Sequence, residues 1–575
     1  MIILGVSAFY HDSAAALIVD GKVIAALEEE RFTRIKHDNQ FPIQAITRLL
    51  QLTNYSIDDI DVIAYYEKPL LKFERLLETF VITYPHALRP FLKSIPDWLG
   101  SKLAVEHTIR KELHFKKQIM YVPHHLSHAA SSFFTSSFTH AAILTIDGVG
   151  EYETTGLWSG ADNTITHLAS IDFPNSLGLL YSTVTAFLGF KINEDEYKVM
   201  GLAAYGKPAY EQKIRQLIDV KPDGSFRLDM RYFGFETSFC MWNKQFEKLF
   251  GTPRKPHDVV EKRHKDIAAS IQKVTEEILI AMLNHLSTLT KEKNLCISGG
   301  VALNALANGK LYKSTPFKKI HILGSASDSG TAIGAALYVY YNFFGSATHH
   351  HLPLPTLALG TSASDEDIER ILLQYPRLSY QKITDEKLLI KKAAAMLANK
   401  KIIGWFQGSM EFGPRALGNR SILAATNPRS MKTKMNIIKH REQFRPFAGS
   451  ALQETIHDYF DVPKKNHASP YMNFCFQVKK HKQRALAAIV HQDESCRIQT
   501  VSANNGLYYR LIKTYAKKTR IGCIMNTSFN LQGEPIVETP RQAIEDFLKT
   551  PMDYLVLDRY LIKNNPKYKK QPTSF

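Results

Sequence analysis

Two stretches of this chain follow one plan, and that repetition limits the folds open to it more than any other feature. The first, IILGVSAFYHDSAAALIVDGKVIAALEEER from Ile2, reads as strand, small polar turn, strand, Asp20-Gly21 turn, strand. Alternating apolar and β-branched residues favour strands, and Asp-Gly is a strong hairpin signal. The second, AAILTIDGVGEYETTGLWSGADNTITHLAS from Ala141, repeats the order. Two such blocks separated by helical sequence predict a duplicated α/β domain with a cleft between its halves.

Further along, a helical pattern over 263–292 precedes a strand at Asn294–Ser298 that runs into GGVALN. A second strand, KIHILG, runs into the loop GSASDSG and a small-residue helix from Thr331 to Tyr341. Residues 344–364 then turn rich in Gly, Pro, Ser, Thr and His without helical period, which marks a connector. Its three consecutive histidines, His349 to His351, read as exposed connector residues and not as metal ligands. Helices at 365–374 and 386–399 lead into a second α/β block with strands at KIIGWF, IGCIMN and YLVLDRYLI. The expected division is therefore 1–350 and 351–575.

A chain of 575 residues exceeds one hydrophobic core, and 45% hydrophobic with 22% charged residues excludes a disordered one. No apolar run reaches the ~18 residues of a membrane helix, and the N-terminus lacks a basic signal-peptide region. Five scattered cysteines without a CxxC pair suit reduced thiols. The expectation is a cytoplasmic protein that does not engage a membrane. The net charge of +17 invites a nucleic-acid reading. Its clusters, Lys479 to Lys482 and Lys567 to Lys570, are short, so they read as a solvated basic surface and no nucleic-acid partner is expected.

The chemistry concentrates in four places. His124 and His128, four residues apart, share one face of a helix and can ligate one cation. Asp147 ends the strand AAILTID at the predicted cleft, and Asp328 stands where GSASDSG opens a helix. Two imidazoles and two carboxylates suit iron(II), manganese or zinc; with 22 histidines in the chain, a hydrogen-bonded core pair is the competing reading. GGVALN (Gly299, Gly300, Asn304) and GSASDSG (Gly324, Ser325) each follow a strand and open a helix, where backbone N–H groups accept an anion. Neither is a P-loop or GxGxxG, but at adjacent strand ends they favour a nucleotide over two empty turns. In the second block, GSMEFGPRALGNRSI and KHREQFRPFA set Arg415, Arg420, Lys439, Arg441 and Arg445 among Gly, Pro and Asn. Guanidinium forks on such a scaffold look like a shaped anion pocket, not an exposed basic loop. Arg497 and the turn NTSFN, with Asn526 and Ser528, add donors.

Ten motifs, taken in order, resemble the NodU/CmcH-type O-carbamoyltransferase family of antibiotic and nodulation-factor biosynthesis. They include GVSAFYHDSAAAL, EEERFTRIKHD, HHLSHAA, EYKVMGLAAYGKP, SGGVALNALANGKL, MEFGPRALGNRSIL and NTSFNLQGEPIVETP. The resemblance implies a duplicated N-terminal domain of the actin and sugar-kinase fold and a C-terminal α/β domain like the carbamoyl-adenylate-forming (YrdC-like) enzymes. It implies His124, His128, Asp147 and Asp328 as ligands of an iron-type metal, Fe²⁺ or similar. Arg415, Lys439, Arg497 and Ser528 match positions for ATP, with Mg²⁺, and carbamoyl phosphate; Lys439 and Arg497 would act in activation. Carbamoyl adenylate would then pass its carbamoyl group to a hydroxyl of a small molecule or saccharide, with His11 and Asp12 as candidates for the base. A tRNA-modifying transferase and a sugar kinase are the alternatives, and a homodimer is the oligomer considered. Departures stand at Ser409, Asp195 and the segment NNGLYY.

Overall fold

The predicted repeat is a repeat of topology. The first sheet places β1 (Ile2–Ser7), β2 (Ala14–Val19) and β3 (Lys22–Glu28) antiparallel to one another, then adds β4 (Val62–Tyr65) and β5 (Gln118–Tyr121) parallel to β1. In the second sheet β6 (His140–Ile146), β7 (Glu153–Ala161) and β8 (Thr164–Asp172) are antiparallel. A small hairpin intervenes, β9 (Ile218–Val220) with β10 (Phe226–Leu228). Then β11 (Asn294–Ser298) and β12 (Lys319–Ile322) extend the second sheet parallel to β6. The orders are β3-β2-β1-β4-β5 and β12-β11-β6-β7-β8, so β6 is the counterpart of β1. This is the actin and sugar-kinase plan that the resemblance implies. The computed structural model describes residues 1–345, 351–465 and 467–564. The expectations for His349, His350 and the Lys567–Lys570 run lie outside the described residues.

Each half lends its last helix to the other. The helix His124–Phe133, which follows β5, packs on the second sheet, and the helix Asp328–Val339, which follows β12, packs on the first. Small residues make this exchange sterically feasible. A Cβ on Gly5 of β1 would lie 1.9 Å from the Ala332 carbonyl oxygen, and one on Gly334 would lie 1.9 Å from that of Ser127. The two exchanged helices therefore touch backbone to backbone. The 29-residue helix Lys262–Thr290 backs this arrangement with a buried stripe that includes Ile267, Ile271, Val274 and Ile278.

Contact density divides the chain into two compact units: Met1–Glu29 with His37–Pro355, and Glu30–Lys36 with the chain from Thr356 onward. The short segment joins the second unit through its arginines. Arg31 donates to the Gly413 carbonyl at 2.8 Å, and Arg34 to those of Ile536 and Pro535 at 2.7 and 2.8 Å. The second unit is built on β13 (Ser379–Lys382), β14 (Ile403–Phe406), β15 (Arg420–Ala424), β16 (Ala448–Leu452), β17 (Phe474–Gln477), β18 (Ser495–Val501), β19 (Cys523–Ser528), β20 (Tyr554–Leu557) and β21 (Tyr560–Lys563). They form one mixed sheet in the order β13-β21-β20-β14-β15-β19-β16-β18-β17. Helices Glu386–Ala398 and Gly506–Thr519 cover Ile403, Trp405, Leu423, Ile524 and Val501 on one face.

One connector expectation fails. His351 is buried, not exposed, because its ring fits among Phe133, Phe134 and Tyr341, with centroids 4.9, 5.7 and 6.4 Å away.

The helix exchange predicts that Gly334→Ala is costly. Its methyl group meets a main-chain carbonyl that cannot turn aside, so a loss of about 1–3 kcal/mol or more is expected. Gly100→Ala, where a Cβ meets nothing within 4 Å, should stay within about 0.5 kcal/mol of wild type. Denaturant unfolding of the two variants beside wild type is the check; equal midpoints would refute the tight crossing.

Candidate metal centre and anion site

The four residues singled out as ligands converge in the first unit. His124 is the first residue of its helix and His128 lies one turn on, so both imidazoles face the same way. Asp147 follows β6, and Asp328 is the first residue of the other exchanged helix. His128 Nε2 is 3.0 Å from Asp147 Oδ2 and 3.4 Å from Asp328 Oδ1; His124 Nε2 is 3.4 and 3.8 Å from the same atoms. One ligand atom from each of the four lies within 4.8 Å of the others. All four residues are buried.

The surroundings orient these groups. Ser298 Oγ, 3.1 Å from His128 Nδ1, leaves Nε2 turned to the cluster. The Glu151 carboxylate accepts from the backbone N–H of His124 at 3.0 Å and of Lys68 at 2.7 Å, which fixes where the histidine helix begins. Burial opposes charge on His128, but its hydrogen bond to Asp147 and the nearby Asp328 carboxylate prevail and raise it to about 9. Burial likewise opposes charge on Asp147, and the hydrogen bonds of His124 and His128 override it, so its carboxyl is held well below the usual range. Asp328 differs: both of its oxygens are buried and neither accepts a hydrogen bond among the described residues. A carboxylate left so, opposite two Nε2 atoms, fits a divalent cation with a taste for nitrogen and oxygen ligands better than a self-sufficient core pair. His125, between the two, is not part of it; its Nδ1 sits 2.8 Å from Thr145 Oγ1, and burial holds its pKa well below the usual histidine value.

His11 and Asp12 stand in the turn after β1, the counterpart of the Asp147 turn after β6. His11 Nε2 is 3.7 Å from Asp328 Oδ2, and its Nδ1 is 3.2 Å from Asp12 Oδ2. Asp12 Oδ1 lies 2.6 Å from His37 Nδ1, so one carboxylate bridges two imidazoles. Burial works against charge on His11, yet Asp328 and Asp12 raise it to about 10. His37 was not separated from its motif by sequence; its pairing with a residue 25 positions away carries no local signal.

The glycine loops end β11 and β12 beside Asp147. Gly299 has φ +98°, and a Cβ there would lie 2.1 Å from the Ile146 carbonyl oxygen; a Cβ on Gly300 would lie 3.0 Å from Asp147 Oδ1. The first position thus needs glycine, and a side chain at Gly300 would crowd Asp147. The Gly299 N–H donates to the Ala326 carbonyl at 2.8 Å, tying the loop to GSASDSG, where Gly324 and the fully buried Ser325 precede Asp328. Asn304 caps the helix Ala305–Ser314 and exchanges amide hydrogen bonds with Gln272, so it shapes the loop.

In the second unit, the face that its helices cover turns polar past them. Sheet register aligns Arg497 and Gln499 of β18, Ser450 of β16, and Asn526 and Ser528 of β19 on that one face. Lys439, the residue after the helix Ser430–Ile438, is buried and donates to the Ser528 carbonyl and hydroxyl and to Asn530 Oδ1. Burial, with Arg441 and Arg445 nearby, pushes its pKa well below the usual lysine value. Arg415 and Arg497 are half-buried and both lie close enough to Cys475 to act on its thiol.

Two of the residues expected at the anion pocket are engaged in holding its loop. Arg420 is fully buried, stacked 3.6 Å over the Phe406 ring, and its Nη atoms donate to the carbonyls of Gln407, Gly408, Asn419 and Thr361. With these carbonyls on its Nη atoms, it closes the loop. Asn526 donates to the Ala416 carbonyl, Ser450 and Gln499, so it steadies the Arg415 loop from below. Glu411, which sequence did not single out, folds that loop by accepting from the N–H groups of Leu417 and Asn419, both at 2.7 Å.

Comparison with known proteins agrees with this division. Residues 2–337 match the family model for the carbamoyltransferase N-terminus, and residues 394–564 match that for the carbamoyltransferase C-terminus. An uncharacterized protein of Synechocystis is 44% identical over 97% of this chain and 96% of its own length. Nodulation protein NolNO of Sinorhizobium fredii is 38% identical over 96% of this chain and 79% of its own. Nodulation protein NolO of Bradyrhizobium diazoefficiens is 37% identical, covering 77% of this chain and 79% of that protein. With both family models matched in order and close relatives spanning most of its length, the chain belongs to the carbamoyltransferase family and is an enzyme of carbamoyl transfer.

Proposed function

We propose that this carbamoyltransferase activates carbamoyl phosphate with ATP in its second unit and passes the carbamoyl group to an acceptor hydroxyl in its first. Activation yields carbamoyl adenylate, and atom balance then releases pyrophosphate and, with one water, phosphate. In the second unit Lys439 meets the phosphate groups. It is buried, it is held by neutral acceptors at Ser528 and Asn530, and an arriving anion supplies the charge that favours its protonated form. Arg415 and Arg497 offer planar forks to the remaining oxygens, with Arg445 beside Lys439 and Mg²⁺ accompanying ATP.

In the first unit the adenylate's phosphate meets the N–H groups of Gly300 and of the Gly324–Ser325 loop, with Gly299 keeping the two loops together. His124, His128, Asp147 and Asp328 would hold an iron-type divalent ion. Such an ion, when bound, supplies Lewis-acid polarisation of a carbonyl. Asp12, a carboxylate held between His11 and His37, takes the acceptor's proton, with His11 orienting it. The observation that carries this reading is Asp328, whose Oδ1 faces the imidazoles of His124 and His128 and neither of whose buried oxygens accepts a hydrogen bond among the described residues.

Two measurements test it. Protein purified without oxygen should carry about one divalent ion per chain, and His128→Ala should lose it, since deleting one of about four ligands opens the shell. Elemental analysis that finds full occupancy in this variant would refute the ligand set. The two half-reactions should also separate. Lys439→Ala should slow pyrophosphate release by about a hundredfold or more, yet still transfer carbamoyl from supplied carbamoyl adenylate. His124→Ala should release pyrophosphate and carbamoylate nothing. The opposite pattern would reverse the assignment of the units, and joint loss of both steps in folded variants would mean a single composite site.

A further inference from the structure

The helix Pro69–Thr83 carries a cation whose buried Nη1 finds no hydrogen-bond partner among the described residues, on the side turned to the metal cluster. Lys72 of this helix reaches Tyr10, with its Nζ 4.8 Å over the phenol ring. Tyr10 in turn touches His11, ring centroids 4.7 Å apart, and its hydroxyl lies 3.9 Å from where a Cβ on Gly148 would sit, directly after Asp147. The inner side of the helix thus borders the four-ligand cluster. Arg75 lies three residues beyond Lys72, so it faces the same way.

The charges around Arg75 are already engaged. Glu67 pairs with Lys72 at 2.6 Å, Glu151 accepts the N–H groups of Lys68 and His124, and Glu78 accepts the Tyr152 hydroxyl at 2.8 Å. Arg75 keeps none of these: its Nη1 is buried and has no hydrogen-bond partner among the described residues. Its guanidinium rests 4.9 Å over the Phe173 ring, a contact that holds the fork and leaves Nη1 unanswered. Burial lowers its pKa, with Tyr10, Glu67 and Glu151 acting against that fall. A partly buried guanidinium held on a ring, with one buried donor unanswered, suits recognition of a carboxylate or phosphate.

We propose that Arg75, seated on Phe173 beside Tyr10, is an anion subsite for the acceptor, so that the alcohol carbamoylated by this enzyme also carries a carboxylate or phosphate group. The assignment rests on the carbamoyl-transfer reading of the first unit. It selects acidic sugars and sugar phosphates, and disfavours polyamine alcohols, whose cations would meet Arg75 and Lys72.

The test uses the full chain and calorimetric titration with glucuronate, glucose 1-phosphate, methyl glucoside and AMP. The proteins are wild type, Arg75→Met, which keeps the packing on Phe173, and Arg75→Lys, which keeps the charge. Wild type should bind at least one of the two acidic ligands about tenfold or more tightly than methyl glucoside. Arg75→Met should abolish that preference, Arg75→Lys should keep part of it, and AMP should bind all three proteins alike. Equal binding of the acidic ligands by wild type and Arg75→Met, including none by either, overturns the proposal. A tenfold loss of AMP binding in Arg75→Met with acidic ligands unaffected also overturns it and gives Arg75 to the donor phosphate. If the acidic preference depends on Arg75 but no acceptor is carbamoylated from supplied carbamoyl adenylate, the subsite stands and the transfer reading fails.

Discussion

The first unit depends on one contact, the backbone-to-backbone crossing of the two exchanged helices. Gly334 lies where a Cβ would stand 1.9 Å from the Ser127 carbonyl, one residue before His128. Because that crossing has no side chain in it, Asp328 at the start of one helix comes within 3.8 Å of both histidines at the start of the other. Asp147 completes the set because β6 holds in the second sheet the place that β1 holds in the first. His11 and Asp12 follow from the same symmetry, since they occupy the turn after β1. The cluster is a product of duplication and close packing together.

Burying four ionisable groups is expensive unless each is paired or ligates a metal. The fold meets part of that demand itself, through Ser298 on His128 and through the hydrogen bonds of both histidines to Asp147. It does not meet the demand of Asp328. The second unit repeats this economy with opposite sign: Lys439 is buried among neutral acceptors, with Arg441 and Arg445 close by and carboxylates only at longer range. The Asp328 cluster is therefore short of positive charge and the Lys439 site short of negative charge, which is how sites for a cation and for phosphates should differ.

Much of this was legible in sequence because it is written at short range. The spacing of His124 and His128, the strand ending in Asp147 and the glycine turns before Asp328 are local patterns with fixed geometric meaning. The failures are long-range. Arg420 sits among Gly, Pro and Asn like a phosphate ligand, but the carbonyls that take its donors include Thr361, distant in sequence. His351 reads as a connector residue until Phe133 and Phe134, more than 200 positions earlier, enclose it. Glu151 on the histidine helix and His37 on Asp12 are likewise pairings that no periodicity announces. The inclusion of Glu30–Lys36 in the second unit through Arg31 and Arg34 is of the same kind.

A chain with a sugar-kinase-like first unit should, on these grounds, transfer a carbamoyl group and not a phosphoryl group. Carbamoyl phosphate labelled with carbon-13, ATP labelled on its γ-phosphate, and a panel of hydroxylated acceptors separate the two directly. The account predicts an O-linked carbamate carrying the carbon label, formed only when ATP is present, with the γ-phosphate recovered in pyrophosphate. An acceptor carrying the phosphorus label and no carbon-13 would contradict it.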